Sequence, residues 1–219
     1  MFQLKTAHDS EFTLSDTQQK YRDKNWQTFL SERAVTENDT LLRYLSHTKE
    51  TITVAPDVTY KDLVGLRYKK LSRIEPTPFL TVSAIALVET SDGQLLLQER
   101  DSGDWPQSLE LPGGFVRASM INIDTVEFIK RRVARDFGIS EGTLTEITLI
   151  DFFSFPEILE KMLVFKIIMN ETSTKLNLHN QKIKPIPQGY TVATHPNHFS
   201  IPLHHPSRVI IETYCKNLI

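Results

Sequence analysis

Glu110-Leu111-Pro112-Gly113-Gly114-Phe115-Val116 is followed, one loop later, by a segment that ends Arg131-Arg132-Val133-Ala134-Arg135-Asp136-Phe137-Gly138-Ile139. The paired glycines permit positive φ or close approach of other atoms to the backbone. Over residues 123–137, Val126, Ile129, Val133 and Phe137 recur at helical spacing and Gly138 is placed to terminate, which predicts an amphipathic helix. Working outward, residues 79–89 are β-branched and apolar on both faces, the pattern of a strand buried within a fold. Ser91-Asp92-Gly93 marks a turn, and residues 94–100 resume as a second strand, so the pair predicts a hairpin. On the other side, residues 144–155 and 161–169 predict two strands joined around Pro156. After a polar stretch at 170–180 and a proline-bearing loop, Ser207 is expected to cap a final helix with Ile210, Ile211, Tyr214 and Leu218 on one stripe. The class is mixed α/β.

The chain has 219 residues, more than one small domain needs and short for two. Glu75-Pro76-Thr77-Pro78 is the expected boundary, with an extension at residues 1–76 and the core domain at 77–219. The extension reads as ordered. Residues 18–32 carry Tyr21, Trp26, Phe29 and Leu30 in a helical pattern, and residues 41–54 read as two short strands before Tyr60-Lys61-Asp62-Leu63-Val64-Gly65; that many large apolar groups need burial.

Hydrophobic residues at 40% and charged residues at 24% exclude a fibrous or broadly disordered chain. Lys and Arg number 25 against 27 Asp and Glu, a net charge of −2, which argues against a chain-wide electrostatic footprint for nucleic acid or an acidic membrane. Any basic site must be local, and neither nucleic acid nor membrane is an expected partner. Cys215, the single cysteine, cannot form an internal disulfide or a cysteine-rich zinc site and is expected to be a small buried hydrophobe. The first residues lack the apolar stretch of a secretory signal, and the longest apolar region, residues 79–88, is broken by Thr81 and Ser83 and too short to span a membrane. A cytoplasmic location is the expectation.

The order strand, hairpin, Leu95-Leu96-Leu97-Gln98-Glu99-Arg100, tryptophan, Glu-Leu-Pro-Gly-Gly-Phe-Val and a helix ending in Arg131–Ile139 resembles the Nudix hydrolases over roughly residues 78–218. The resemblance implies an α/β/α sandwich with a mixed sheet, here preceded by a small α+β N-terminal extension. In that family the box helix ends Arg-Glu-apolar-x-Glu-Glu-x-Gly-apolar, and its glutamates bind the Mg²⁺ or Mn²⁺ that cleaves a nucleoside diphosphate linked to another group. Residues three and four apart project from one helix face, so carboxylates there gather hard oxygen ligands around one cation. In this sequence those three positions read Arg132, Arg135 and Asp136, and a single acid remains. Gly114 and Gly138 also stand further apart than in the family, and Arg117-Ala118-Ser119-Met120-Ile121-Asn122 supplies no carboxylate before Asp124.

The extension resembles the region ahead of the Nudix domain in UDP-sugar diphosphatases, through Trp26, Leu30, Asn38, Arg43 and Thr59-Tyr60-Lys61-Asp62-Leu63-Val64-Gly65. The family pattern is Trp, Leu, Asn-Gly, Arg and Tyr-Arg-Asp-Phe-Leu-Gly; here Asp39 replaces the glycine, and Lys61 and Val64 are substitutions. This implies Mg²⁺-dependent cleavage of UDP-glucose to UMP and glucose 1-phosphate.

Two arginines repel a divalent cation but attract the diphosphate it would have neutralised, and each offers a bidentate fork to phosphate oxygens. The alternative for Arg132 and Arg135 is a solvated basic face completing the carboxyl end of the helix dipole with Lys130 and Arg131. Asp136 is the candidate catalytic and metal residue, but one carboxylate rarely suffices for a divalent cation, and pairing with a nearby arginine is the stronger expectation. Glu127 points off that face, while Asp151, Glu157 and Glu160 lie beyond the box. Gly113 and Gly114 join Arg132 and Arg135 as candidate substrate-binding residues, with Arg100 equally open to a phosphate contact or a structural ion pair. Trp105 reads as a packing residue over a base-stacking one, and His195, His198, His204 and His205 as loop histidines over metal ligands. Three functions stay open: a binder of a small nucleoside diphosphate-linked, nucleotide-sugar-like ligand with hydrolysis weak or lost; an active UDP-sugar diphosphatase using acids outside the box; and a non-catalytic structural or interaction module. The cofactor is Mg²⁺ or Mn²⁺ in the active case and none otherwise.

Overall fold

The computed structural model describes residues 2–7, 12–32, 38–68, 77–100, 107–179, 182–187 and 202–215. Along the chain they form β1 (Gln3–Thr6), α1 (Asp16–Glu32), β2 (Thr40–His47), β3 (Thr51–Thr59), α2 (Tyr60–Arg67), β4 (Thr81–Glu89), β5 (Gln94–Arg100), β6 (Ser108–Glu110) and β7 (Gly113–Phe115). Then come α3 (Thr125–Phe137), β8 (Leu144–Phe155), β9 (Glu160–Met169), α4 (Ser173–His179), β10 (Ile183–Pro187) and α5 (His205–Cys215). The expected mixed α/β fold with a large mixed sheet is present: β1 runs parallel to β3, and β2/β3, β4/β5, β5/β6 and β5/β10 are antiparallel. The chain divides into two compact units, one drawn from Met1–Ala84, Phe115–Thr125 and Phe152–Leu163, the other from Ile85–Gly114, Val126–Asp151 and Val164–Ile219. Among the described residues no helix is long and apolar enough to cross a membrane.

In the first unit the residues singled out ahead of position 66 act as packing devices. Thr59 and Asp62 close a reciprocal capping box on α2, the Thr59 hydroxyl accepting from the Asp62 N–H and Asp62 Oδ2 accepting from the Thr59 N–H at 2.9 Å. Asn38 Oδ1 accepts from the Lys61 N–H at 2.7 Å, so a second free amide of the helix start is satisfied from outside. The other oxygen of Asp62 accepts from Arg22 Nη1 at 2.7 Å, which ties α1 to the head of α2. The two helices approach so closely at Gly65 that an added Cβ would lie 2.6 Å from the Arg22 carbonyl oxygen. Trp26 stacks on Phe29 and meets Tyr60 edge-on, and Arg43 holds Asp57 through Nε at 2.9 Å and Nη2 at 2.6 Å. Tyr21, expected on the buried stripe, is instead exposed. It precedes Trp26 by five residues, which rotates it about 140° around the helix.

A buried ion pair crosses this unit. Arg67, at the end of α2 and 2% exposed, donates from Nη1 to Glu160 Oε1 at 2.5 Å and to the Ile158 carbonyl at 2.8 Å, while Ser83 Oγ donates to Glu160 Oε2 at 2.9 Å. The Arg67 guanidinium lies over the Phe115 ring, 5.4 Å from its centroid.

In the second unit α3 buries Ile129, Val133 and Phe137 of the stripe read from the sequence, while Val126 is half-buried. It starts at Thr125, two residues after the expected start, because the chain is still turning there: the Ile123 N–H bonds the Met120 carbonyl at 2.9 Å. Gly138 adopts φ +68, and the Gly138 and Ile139 amides return to the Arg135 and Ala134 carbonyls, which is a Schellman end. Ser207 does not cap α5. The helix begins at His205, and Ser207 Oγ accepts the Leu111 N–H at 3.0 Å instead. The polar stretch at 170–180 contains α4, anchored by the 91–93 turn: Asp92 accepts from the Ser173 amide at 2.9 Å and from its hydroxyl at 2.7 Å. The proline-bearing loop contains β10, with Pro185 opposite Leu96. Leu218 lies outside the described residues, as does the side chain of Cys215.

Gly65→Ala is expected to lower stability by about 1–3 kcal/mol, because the obstacle is backbone and cannot rotate away; a chemical-denaturation midpoint equal to the wild-type value would refute this close approach. A second expectation concerns acid. Hydrogen bonds from the Thr90 hydroxyl and then from the Ser173 amide and hydroxyl hold the Asp92 carboxyl down to about 2, against an ordinary 3.8. The stabilisation is therefore complete above the unfolded value and is lost as pH falls through the folded one. Asp92→Asn should flatten the pH dependence of unfolding between about 4 and 2, and an unchanged slope would rule the contribution out.

Candidate functional site

The α3 face brings together Arg132, Arg135 and Asp136. Arg132 and Asp136 are one turn apart, and Arg132 Nε donates to Asp136 Oδ2 at 2.8 Å. Arg135 folds back onto the other oxygen, with Nε at 3.3 Å and Nη2 at 3.1 Å from Asp136 Oδ1. Both oxygens of the carboxylate are thus engaged by guanidinium groups, so the pairing expected for Asp136 is present. The Asp136 side chain is 10% exposed and that of Arg135 is 65% exposed, so the acid is sheltered beneath a cation that faces water. Two arginines and one aspartate leave this trio with a net charge of 2 − 1 = +1. Arg131 instead pairs with Glu127 across the exposed side of the helix at 2.7 Å.

Gly114 completes the arrangement. A Cβ at this position would sit 3.1 Å from Arg132 Cζ and Nη1 and 3.4 Å from Nη2. Three such similar distances mean that the guanidinium lies face-on to the glycine, which has no side chain to hold it off. The adjacent Gly113, with φ 156, is buried at the start of β7. The glycine pair allowed a close approach to be read from the sequence, but nothing in a single sequence indicates that Arg132, eighteen positions on, is what approaches.

The Mg²⁺ or Mn²⁺ implied by the resemblance does not fit these side chains. A hard divalent cation needs several oxygen ligands, whereas this face supplies one carboxylate whose two oxygens already accept from guanidinium groups. The other acids considered are engaged too. Asp151 accepts from the Tyr214 hydroxyl at 3.0 Å, and burial, with that carboxylate beside it, raises the tyrosine above its usual range. Glu160 is buried between Arg67 and Ser83. Among the described residues no three His, Cys, Asp or Glu side chains gather where they could hold a metal ion.

Arg100 forms an ion pair with Glu110 at 2.8 Å, and Gln98 Nε2 reaches the other Glu110 oxygen at 3.1 Å. The His204 amide bonds the Leu109 carbonyl at 2.8 Å, and His205 Nδ1 lies 3.3 Å from Arg208 Nη2. Trp105, His195 and His198 lie outside the described residues.

No family model matches the sequence, and no curated protein matches it. Solved structures do resemble the chain. NrtR of Shewanella oneidensis complexed with a 27mer DNA aligns at 16% identity with a TM-score of 0.47, covering 64% of this chain and 61% of that one. The NUDIX domain of the same protein complexed with ADP ribose aligns at 15% identity and a TM-score of 0.45, covering 67% and 94%. DR0079 of Deinococcus radiodurans aligns at 14% identity and a TM-score of 0.49, covering 81% and 98%. The matched segment spans less than two thirds of the length of full NrtR.

A double-mutant cycle between Arg132 and Asp136 is expected to give a coupling of about 0.5–1 kcal/mol, against about 0.3 kcal/mol for the exposed pair Arg131 and Glu127. Equal couplings would mean that the sheltered carboxylate gains nothing from its position.

Proposed function

We propose that this chain is a cytoplasmic, Nudix-type protein that binds a nucleoside diphosphate-linked ligand of the nucleotide-sugar kind and has weak or absent metal-dependent hydrolysis. The observation that supports the reading is the bracketing of Asp136 by Arg132 and Arg135, which turns the face meant for a cation into one that attracts an anion. In this reading Arg132 and Arg135 meet the diphosphate oxygens, and Gly113 and Gly114 line the site, Gly114 leaving room for the Arg132 guanidinium to lie against the chain. Asp136 accepts from both guanidinium groups and offsets part of their charge. Arg100, held by Glu110, stands as a secondary contact.

Loss of the metal cluster removes the means of activating water, while charge attraction to the diphosphate persists. Binding without turnover is the consequence. The test pairs two measurements on the same protein. UMP release from UDP-glucose should stay near background with Mg²⁺, with Mn²⁺ and with chelator, while UDP-glucose or ADP-ribose at millimolar concentration raises the melting temperature. Arg132→Glu combined with Arg135→Glu should abolish that rise. Robust metal-dependent turnover would establish the active diphosphatase instead, and the absence of any thermal shift would leave only the interaction module.

A further inference from the structure

The residues on α3 disagree with the metal that the family resemblance implies, and the disagreement has a consequence for which phosphate compounds can bind. Resting on the diphosphate-binding reading above, we infer that the α3 site takes its ligand free of metal and so selects diphosphate diesters over free nucleoside di- and triphosphates.

The site carries its own fixed counter-charge. Arg132 spends Nε on Asp136, and among the described residues its Nη1 and Nη2 make no hydrogen bond; Arg135 spends Nε and Nη2 in the same way and keeps Nη1. These terminal groups are the donors a phosphate would use, and they are held on one side of the helix by the carboxylate they share. Gly114 lets the face of the Arg132 guanidinium lie against the chain. A guanidinium fork suits phosphate oxygens that have no other cation on them. A phosphate already chelated by Mg²⁺ brings its own positive charge and a tightly held shell of water, and both oppose approach to two arginines whose only acid is already occupied.

Phosphate compounds differ in how readily they carry that metal. A free nucleoside di- or triphosphate ends in a phosphoryl group with a second ionisation at about 6, so at neutral pH it holds extra charge and chelates Mg²⁺ well. In a diester such as UDP-glucose each phosphorus bears one ionised oxygen, and the compound keeps more of itself metal-free. Magnesium therefore acts as a filter. It sequesters free nucleotides from the site and leaves nucleotide sugars available to it.

The experiment is calorimetric titration of the full chain with UDP-glucose and with UDP, each in chelator and in millimolar Mg²⁺. UDP-glucose is expected to bind with an affinity that changes by less than about threefold between the two conditions, and UDP to weaken by about tenfold or more when Mg²⁺ is added. Tighter binding of either compound in Mg²⁺ would overturn the inference while leaving nucleotide binding intact. Equal insensitivity of both compounds would overturn the selectivity in the same way. No heat from either compound in either condition would remove the underlying binding reading and this inference with it. Asp136→Asn supplies an independent readout: it removes the negative charge beside both guanidinium groups and should tighten metal-free UDP-glucose binding by about threefold or more, whereas unchanged or weaker binding in chelator would overturn the inference, and a residue serving a metal would give weaker binding confined to the Mg²⁺ arm.

Discussion

A buried ion pair sets the terms for much of the first unit. Arg67 and Glu160 meet at 2.5 Å with almost no exposure to water, and neither charge is tolerable there without the other. Satisfying Glu160 requires the end of α2, the Ser83 hydroxyl on β4 and the start of β9 to arrive at one place, while Arg67 also needs the Ile158 carbonyl and the face of Phe115. Residues 60–67 are thereby bound to residues 156–160, more than ninety positions later. The capping box at Thr59 and Asp62, the Asn38 amide contact and the Gly65 crossing all serve to deliver Arg67 to that point. What the sequence presents as an extension supplies a counter-charge to the centre of the unit.

The parts of this fold that were legible in the sequence share a physical property: their signal is local. The α3 stripe, its Gly138 end, the turn at 91–93 and the doubly buried β4 each follow from side-chain period or from one residue's φ preference. What escaped reading depends on a distant partner. Ser207 carries a cap signal, but its hydroxyl is consumed by the Leu111 amide, and no local rule separates the two uses. Residues 183–187 contain two prolines and read as loop, yet they pair along β5 at the end of the strand order, where a missing donor is tolerated. The four residues of β1 are too few and too polar to announce a strand without β3 beside them.

The candidate site divides in the same way. That residues 132, 135 and 136 share a face was readable from helical spacing alone. The distribution of hydrogen bonds was not. Each arginine had competing partners, Glu127 among them, and only geometry assigns Glu127 to Arg131 and both oxygens of Asp136 to the other two. The contact between Gly114 and the Arg132 guanidinium belongs to tertiary structure entirely.

The Gly65 crossing bears on how this chain can change. Most tight contacts between side chains can be relieved by a second substitution, so that a larger residue on one helix is accommodated by a smaller one on the other. At Gly65 the nearest atom to an incoming methyl group is the Arg22 carbonyl oxygen, which every amino acid carries. No replacement at position 22 moves it. The separation of α1 and α2 at this point is therefore fixed by a single position, and a suppressor of any change there must act on the path of a helix and not on a side chain.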